Sequence, residues 1–247
     1  MTLGLISCNV KTDKPIDNKP LTAEQLNVKL DKIILDFNQP VFIDSSVYVM
    51  YPLTLQAGDD PVGSYGSSSG RPTTYWNIIF YNTATGEYHL LDDTLKMAIY
   101  SYNPRNASSG TSSSSSSFGF DDIMESGYNQ VDRLMYFSIT THDFNHDGKL
   151  NSEDPNYLYV ADKSGRHFKQ ISPVNLNVNS WETIKSANRI LMMVTKDSNG
   201  DKKFNEQDET FPLVYDLTKN TTSTEIFNAD FKTKLKKQLD EKWMKKK

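Results

Sequence analysis

An aromatic and aliphatic run, Tyr157-Leu158-Tyr159-Val160-Ala161, is followed directly by the turn sequence Asp162-Lys163-Ser164-Gly165 and then by His167-Phe168-Lys169-Gln170-Ile171. Aromatic and β-branched residues favour strands, whereas Asp, Ser and Gly favour tight turns. The stretch therefore predicts two antiparallel strands joined by a short turn. Upstream, another apolar run at 134–139 is separated from Tyr157 by an acidic loop.

The same order of strand, loop, strand, tight turn and strand occurs in three places. The other two copies are 47–51, 57–73, 75–81, 83–86 and 88–91, and then 190–194, 197–208, 213–217, a Lys-Asn-Thr turn and 224–227. Repeats of this kind predict an all-β fold of antiparallel blade-like units, either propeller-like or an open sandwich. The segments 29–37 and 96–102 are candidates for further strands.

One of the repeats resembles a known family. The segment 157–165, continued by Phe168-Lys169-Gln170-Ile171-Ser172, is similar to a blade of the TolB-like propellers. The resemblance implies strands paired through a glycine turn. Three units are fewer than the four or more blades of a closed propeller, so both the propeller-like array and the open sandwich remain.

The acidic loop at 143–154 has the spacing of a twelve-residue EF-hand loop. Oxygen-bearing side chains stand at positions 1, 3, 5, 9 and 12, Gly148 at position 6 permits a sharp turn, and the apolar Leu150 stands at position 8. Calcium takes six to eight oxygen ligands, which alternate residues of a tight loop can supply. The loop at 197–208 repeats the pattern with Phe204 at position 8. Both resemble the dockerin variety of EF-hand loop, which has Asp at position 12.

Two calcium sites are therefore predicted. Position 7 contributes its backbone carbonyl in each. The predicted ligands are Asp143, Asn145, Asp147, Lys149, Asn151 and Asp154 in the first loop, and Asp197, Asn199, Asp201, Lys203, Asn205 and Asp208 in the second. Lys202 occupies position 6 of the second loop and must adopt a left-handed conformation, so we expect the second site to be weaker. A transition-metal site formed by His142 and His146 with the neighbouring acids is the less favoured alternative.

The N-terminal segment Leu5-Ile6-Ser7-Cys8 resembles the lipobox that ends a bacterial lipoprotein signal, with Cys8 as the acylated residue. Only seven residues precede Cys8, fewer than a complete signal needs. The alternative is an ordinary free thiol. Residues 9–26 are predicted to form a flexible tether. An acylated Cys8 at its start would hold the domain in the bacterial cell envelope, at the outer membrane or cell surface.

A single β-rich domain is predicted over residues 27–247. It is interrupted by a disordered Ser-rich insertion at 107–117 and ends in an amphipathic helix. That helix carries Phe231, Leu235, Leu239 and Trp243 at intervals of four residues. We expect its apolar side to cover one end of the sheet, with a membrane surface as the alternative.

The net charge and the motifs of the sequence bear on which classes of function it can have. The net charge of −4 gives no general attraction to nucleic acid. No nucleophile elbow, phosphate loop, zinc-binding helix or dinucleotide fingerprint is found. The sequence therefore favours a calcium-binding, surface-anchored, non-catalytic binding or structural module. The alternative is a glycan-binding module using aromatics such as Tyr65, Tyr75 and Trp76, or a glycan hydrolase using the pairs Asp92-Asp93 or Asp121-Asp122.

Overall fold

The computed structural model describes residues 22–54, 74–104, 129–219 and 221–244. Thirteen strands and two α-helices are found there. In chain order they are α1 (Ala23–Leu30), β1 (Asp36–Phe37), β2 (Val41–Phe42), β3 (Tyr48–Thr54), β4 (Tyr75–Asn82), β5 (Tyr88–Leu90), β6 (Ala98–Asn103), β7 (Leu134–Thr140), β8 (Tyr157–Asp162), β9 (Lys169–Gln170), β10 (Leu176–Ile184), β11 (Arg189–Lys196), β12 (Glu209–Asp216), β13 (Thr224–Glu225) and α2 (Ala229–Leu239).

The chain divides into two compact units, Met1–Leu35 and Asp36–Lys247. In the first unit the described element is α1, whose sequence begins with the good helix formers Ala23, Glu24, Gln25 and Leu26. The last residues of the tether expected at 9–26 are thus helical. Lys29 and Leu30, at the start of the strand expected at 29–37, also belong to this helix. Within that range, Asp36–Phe37 pairs as strand β1. The remaining tether residues and Cys8 lie outside the described residues.

The second unit contains two antiparallel sheets. One has nine strands in the order β1-β3-β4-β6-β7-β8-β9, with β2 on β3 and β5 on β4. The other has the order β10-β11-β12-β13. Neither sheet closes into a barrel, and the prediction of an all-β, open array of antiparallel units with a C-terminal helix is confirmed.

The three predicted repeats are three meanders: β3-β4-β5, β7-β8-β9 and β11-β12-β13. Strands β6 and β10 each add a fourth strand, so that the second and third units are four-stranded. The first two units join in one sheet through a single described pair, Tyr75 with Ile99. The repeat seen in the sequence is therefore a repeat of whole supersecondary units.

The central unit is buried on both faces. On β7 and β8, alternate residues point in opposite directions. Met135, Phe137, Ile139, Tyr157, Tyr159 and Ala161 pack in a cluster with Met50, Ile78 and Phe80 of the first unit. Tyr136, Leu158 and Val160 pack with Trp181, Met192, Leu213 and other residues of the third unit. This two-sided burial explains why β7 and β8 are nearly continuous apolar runs. The three units are thus packed as layers, with the central unit between the other two.

An Asn or Asp side chain closes the tight turn of each unit. Asn82, Asp162 and Asp216 are the last residues of β4, β8 and β12. The Oδ1 atom of each accepts the backbone N–H of the residue two positions later, at 2.9, 2.8 and 3.0 Å. Gly86 and Gly165 then adopt positive φ values of 77° and 79°. The short side chain at this position favours the turn because it supplies the acceptor locally.

The C-terminal helix differs from expectation. Its predicted place was over one end of the sheet, yet all of its residues are exposed except the half-buried Lys232. Asn228 caps the helix, with its Oδ1 accepting the N–H of Phe231 at 2.9 Å. The helix continues as a π-helical turn over Asp240–Met244. The contact with the sheet is thus made by a lysine and not by the apolar stripe.

Candidate metal centre

The two acidic loops occupy equivalent places in neighbouring units. Residues 143–154 lie between β7 and β8, and residues 197–208 lie between β11 and β12. In both units this is the connection between the two long central strands. The loops therefore emerge at corresponding ends of two stacked layers.

Position 12 ties the end of each loop to its beginning and middle. The carboxylate of Asp154 accepts the backbone N–H groups of positions 2 and 9, at 2.8 and 3.0 Å. The carboxylate of Asp208 accepts from the same two positions of its own loop, at 2.9 and 3.1 Å. These bonds hold the carboxyl group of position 12 beside the start of the loop.

Position 1 closes the loop from the other side. The Oδ2 atom of Asp143 accepts the N–H of position 6 at 2.8 Å, and that of Asp197 does the same at 3.1 Å. Positions 3, 5 and 9 each accept the N–H two residues later through Oδ1, at 2.7–2.9 Å. The residues concerned are Asn145, Asp147 and Asn151 in the first loop and Asn199, Asp201 and Asn205 in the second. All five side-chain positions of the predicted ligand set thus make equivalent hydrogen bonds in the two loops.

The backbone geometry is also shared. Positions 4 and 6 have positive φ in both loops: 65° at His146 and 85° at Gly148, then 77° at Gly200 and 61° at Lys202. The left-handed conformation expected for Lys202 is confirmed. However, His146 adopts the same conformation in the first loop, so each loop holds one glycine and one strained residue. Strain at position 6 therefore gives no reason to rank the second site below the first.

The fit to a calcium ion follows from the donor set. Each loop supplies three carboxylates, two Asn side chains and the backbone carbonyl of position 7, all oxygen donors of the kind that Ca²⁺ prefers. Among the described residues, no group of three or more His, Cys, Asp or Glu side chains already lies at metal-holding distance. A metal would therefore have to bring the carboxylates closer together around a common centre.

Burial distinguishes the loops. Asn151 and Asp154 are buried, with Asp154 only 3 % exposed, and Leu150 at position 8 is buried as expected for docking onto the domain. Burial raises the pKa of Asp154, and it outweighs the hydrogen bonds from Asn151, Phe144 and Asn145. In the second loop, hydrogen bonds from the N–H groups of Ser198 and Asn205 lower the pKa of Asp208.

The two loops touch each other. The ring centroids of Phe144, at position 2 of the first loop, and Phe204, at position 8 of the second, are 5.1 Å apart. A cleft of about 430 Å³ lies between the loops, lined by residues that include Asn145, Asp154, Asp201 and Asn205. Phe204 holds the position that Leu150 holds in the first loop, but it packs against the other loop. Sequence gives no signal for this contact because it joins residues far apart in the chain.

One further carboxylate belongs to the first loop. The amide Nδ2 of Asn145 donates to Oε2 of Glu153 at 3.3 Å, which brings Glu153 beside the predicted ligands. It stands at position 11, which the EF-hand pattern does not use. Its charge adds to the negative potential of the loop and would favour a cation there.

The histidines near the first loop do not form a shared site. Nδ1 of His142 lies 2.9 Å from Oγ1 of Thr141, and Nδ1 of His146 lies 3.0 Å from the carbonyl oxygen of Asp143. Each ring thus has its own local partner. The alternative of a transition-metal centre on this pair gains no support from the geometry.

The residues suggested for glycan binding or hydrolysis are dispersed. Oδ1 of Asp92 accepts from the N–H groups of Thr94 and Leu95, both at 2.7 Å, as a turn-closing residue does. Burial would raise the pKa of Asp92, but these hydrogen bonds outweigh it and lower the pKa. Tyr75 packs against Tyr102, with ring centroids 5.7 Å apart, and Trp76 is half-buried in the same strand.

Several sequence expectations lie outside the described residues: Cys8, Tyr65, the Asp121-Asp122 pair and the Ser-rich insertion at 107–117. Within the described part, no helix is both long and apolar enough to cross a membrane. No protein-family model, curated protein or solved structure matches the chain.

Proposed function

We propose that the chain is a calcium-stabilised, non-catalytic binding or structural module, held at the bacterial cell surface through an acylated Cys8. The observation that supports it best is the equivalence of the two loops. Five side-chain positions make the same kind of hydrogen bond in both, although the loops share neither the same glycine position nor the same burial. Ordinary acidic turns have no reason to agree in such detail.

The role of the ion follows from where the loops lie. Each loop gathers three carboxylates, whose mutual repulsion a cation would relieve. The first loop belongs to the central layer and the second to the outer layer, and Phe144 packs on Phe204 between them. Calcium at both loops would thus stabilise each strand connection and the contact between the layers.

Calcium binding should appear as folding stability, because the ligands of a loop converge only in the native state. With calcium at about one hundred times the dissociation constant, each site would add about 2.7 kcal/mol. This is a large share of a total stability of about 5–15 kcal/mol. Adding a chelator should lower the melting temperature by several degrees.

Magnesium is the matched control for that experiment. Its smaller octahedral shell fits a flexible loop of this kind poorly, so it should restore little of the lost stability. The double variant Asp143→Asn with Asp197→Asn should melt at the same temperature with and without chelator. A native protein whose melting curve is indifferent to chelation would show that the loops act as acidic turns only.

The anchoring part of the proposal has an independent test. Expression in a bacterium from the gene with its natural upstream codons should yield a protein acylated on Cys8 in the membrane fraction. Mass spectrometry of the mature N-terminus reads this directly. An unmodified Cys8 would remove the lipoprotein assignment and leave the calcium assignment standing.

A further inference from the structure

The C-terminal helix displays an apolar stripe to solvent. Phe231, Leu235, Leu239 and Trp243 follow one another at intervals of four residues and are 42, 45, 49 and 80 % exposed. Residues three and four apart share one side of a helix, so these side chains form a continuous surface. A helix of a globular domain normally buries such a stripe.

The beginning of the helix is tied to the domain through Lys232. Nζ of Lys232 lies 2.6 Å from Oε2 of Glu225 and 3.6 Å from Oε1 of Glu209, and 4.7 Å from the centroid of the Phe211 ring. This attachment uses a charged side chain. Phe231 also packs on Phe227, with ring centroids 5.5 Å apart. The part of the stripe that is open to another surface therefore runs from Leu235 to Trp243.

The charge of this segment is opposite to that of the rest of the chain. Residues 228–247 hold eight Lys and three acidic residues, whereas the whole chain has 27 basic and 31 acidic residues. The segment is therefore basic and the remainder strongly acidic. At 3.6 residues per turn, Asp230, Asp240 and Glu241 fall on the side away from Leu235. The stripe and its surroundings are thus apolar and basic.

We infer that this helix binds an anionic lipid surface, lying in the plane of the interface. An apolar stripe with lysines beside it is the combination that interfacial helices use, because the lysine stems lie along the apolar region while the ammonium groups reach the lipid phosphates. The exposed Trp243 suits the same boundary. A second copy of this helix is a poor occupant, since two basic helices repel each other.

The inference is independent of the calcium loops and of acylation. The test uses the full chain with Cys8→Ser, so that no acyl chain contributes, and vesicles of phosphatidylcholine with or without about one third phosphatidylglycerol at about 0.1 M salt. Binding is measured by cosedimentation. Insertion of the Trp243 side chain into the lipid interface is measured by the blue shift of its fluorescence. Trp243→Phe should abolish the shift, because Trp181 is already buried and Trp76 half-buried.

A matched pair of variants separates the stripe from net charge. Leu235→Glu and Thr233→Glu change the charge equally, but Leu235 belongs to the stripe and Thr233 lies on the opposite side. We expect Leu235→Glu to weaken binding about tenfold more than Thr233→Glu. Replacing Lys234, Lys236 and Lys237 together by Gln should weaken it roughly a hundredfold, at about fivefold per lysine.

Three results would overturn the inference. The first is equal binding to neutral and anionic vesicles, or none to either. The second is an equal effect of Leu235→Glu and Thr233→Glu. The third is self-association in the absence of lipid that Leu235→Glu abolishes, which would assign the stripe to a second copy of the chain.

Discussion

His146 and Lys202 adopt the same left-handed backbone conformation, with φ of 65° and 61°, at positions 4 and 6 of their respective loops. Glycine occupies the other left-handed position in each case, Gly148 in the first loop and Gly200 in the second. The two loops thus have the same left-handed positions, but glycine stands at position 6 in the first loop and at position 4 in the second. Each stores the strain of one side chain.

His146→Gly and Lys202→Gly should therefore both stabilise the protein. Relief of the left-handed conformation is worth roughly 1–2 kcal/mol and exceeds the added backbone entropy of roughly 0.5–1 kcal/mol. Each variant should raise the free energy of unfolding by about 0.5–1 kcal/mol and tighten calcium binding at its own loop. Denaturant unfolding and calorimetry measure the two effects. A gain from Lys202→Gly alone would show that position 6, and not the pair of positions, governs the loop.

The two loops should stabilise each other through Phe144 and Phe204, whose rings are 5.1 Å apart. Such an aromatic pair is worth about 0.5–1.5 kcal/mol beyond the area that it buries. A double-mutant cycle with Phe144→Leu and Phe204→Leu, read by unfolding, should return a coupling energy in that range. Additive effects of the two substitutions would mean that the loops respond independently.

The turn at Gly165 offers a test of the layer packing. A Cβ at Gly165 would collide with the ring of Phe80 in the first unit, whereas a Cβ at Gly86 would meet nothing within 4 Å. Both glycines have positive φ, so alanine costs about 1–2 kcal/mol of backbone strain at either position. Gly165→Ala should cost a further 1–3 kcal/mol or so from overpacking. Equal losses in denaturant unfolding would contradict the close approach of the first and central units.

Asp162 should contribute to stability through its turn. It accepts from Ser164 N at 2.8 Å, from Arg166 N at 3.0 Å and from His167 at 2.7 Å. Asp162→Ala should cost about 1–3 kcal/mol, because these donors lose their acceptor. The exposed Asp93→Ala is the control and should change stability by less than about 0.5 kcal/mol. Similar effects of the two substitutions would show that the turn does not depend on this side chain.

The same carboxyl group makes stability depend on pH. Burial would raise the pKa of Asp162, but the hydrogen bonds from Ser164, His167 and Arg166 outweigh it and lower the pKa. A depressed pKa in the folded state means that the stabilisation is present above the unfolded pKa and is lost as the pH falls through the folded one. The stability difference between the native protein and Asp162→Ala should therefore shrink as the pH is lowered below about 4.

Sequence was a good guide where burial follows a simple pattern. The repeats were visible because their long strands are apolar runs closed by Asx or glycine turns, and β6 because 96–102 is apolar. Strand β10 was missed because its residues are mainly polar and a bulge between Val178 and Ser180 breaks the alternation of its apolar residues. Helix α1 was missed because it is exposed and has no core to pattern it.

The candidate site divides in a similar way. The positions of the ligand residues follow from local spacing, and the described loops bring those residues into equivalent hydrogen-bonded arrangements. Two features could not be read locally. The left-handed conformation of His146 could not be read from the sequence, because histidine is enriched at such positions but most histidines adopt other conformations. The contact of Phe144 with Phe204 depends on the stacking of two layers.

Direct titration of calcium into the metal-free protein tests the central claim. Isothermal calorimetry should detect two binding events per chain, of which Asp143→Ala removes one and Asp197→Ala the other, while Asp93→Ala leaves both. Magnesium at the same concentration should displace little of the bound calcium. Binding of no calcium, or binding unaffected by both loop variants, would contradict the assignment of these loops as calcium sites.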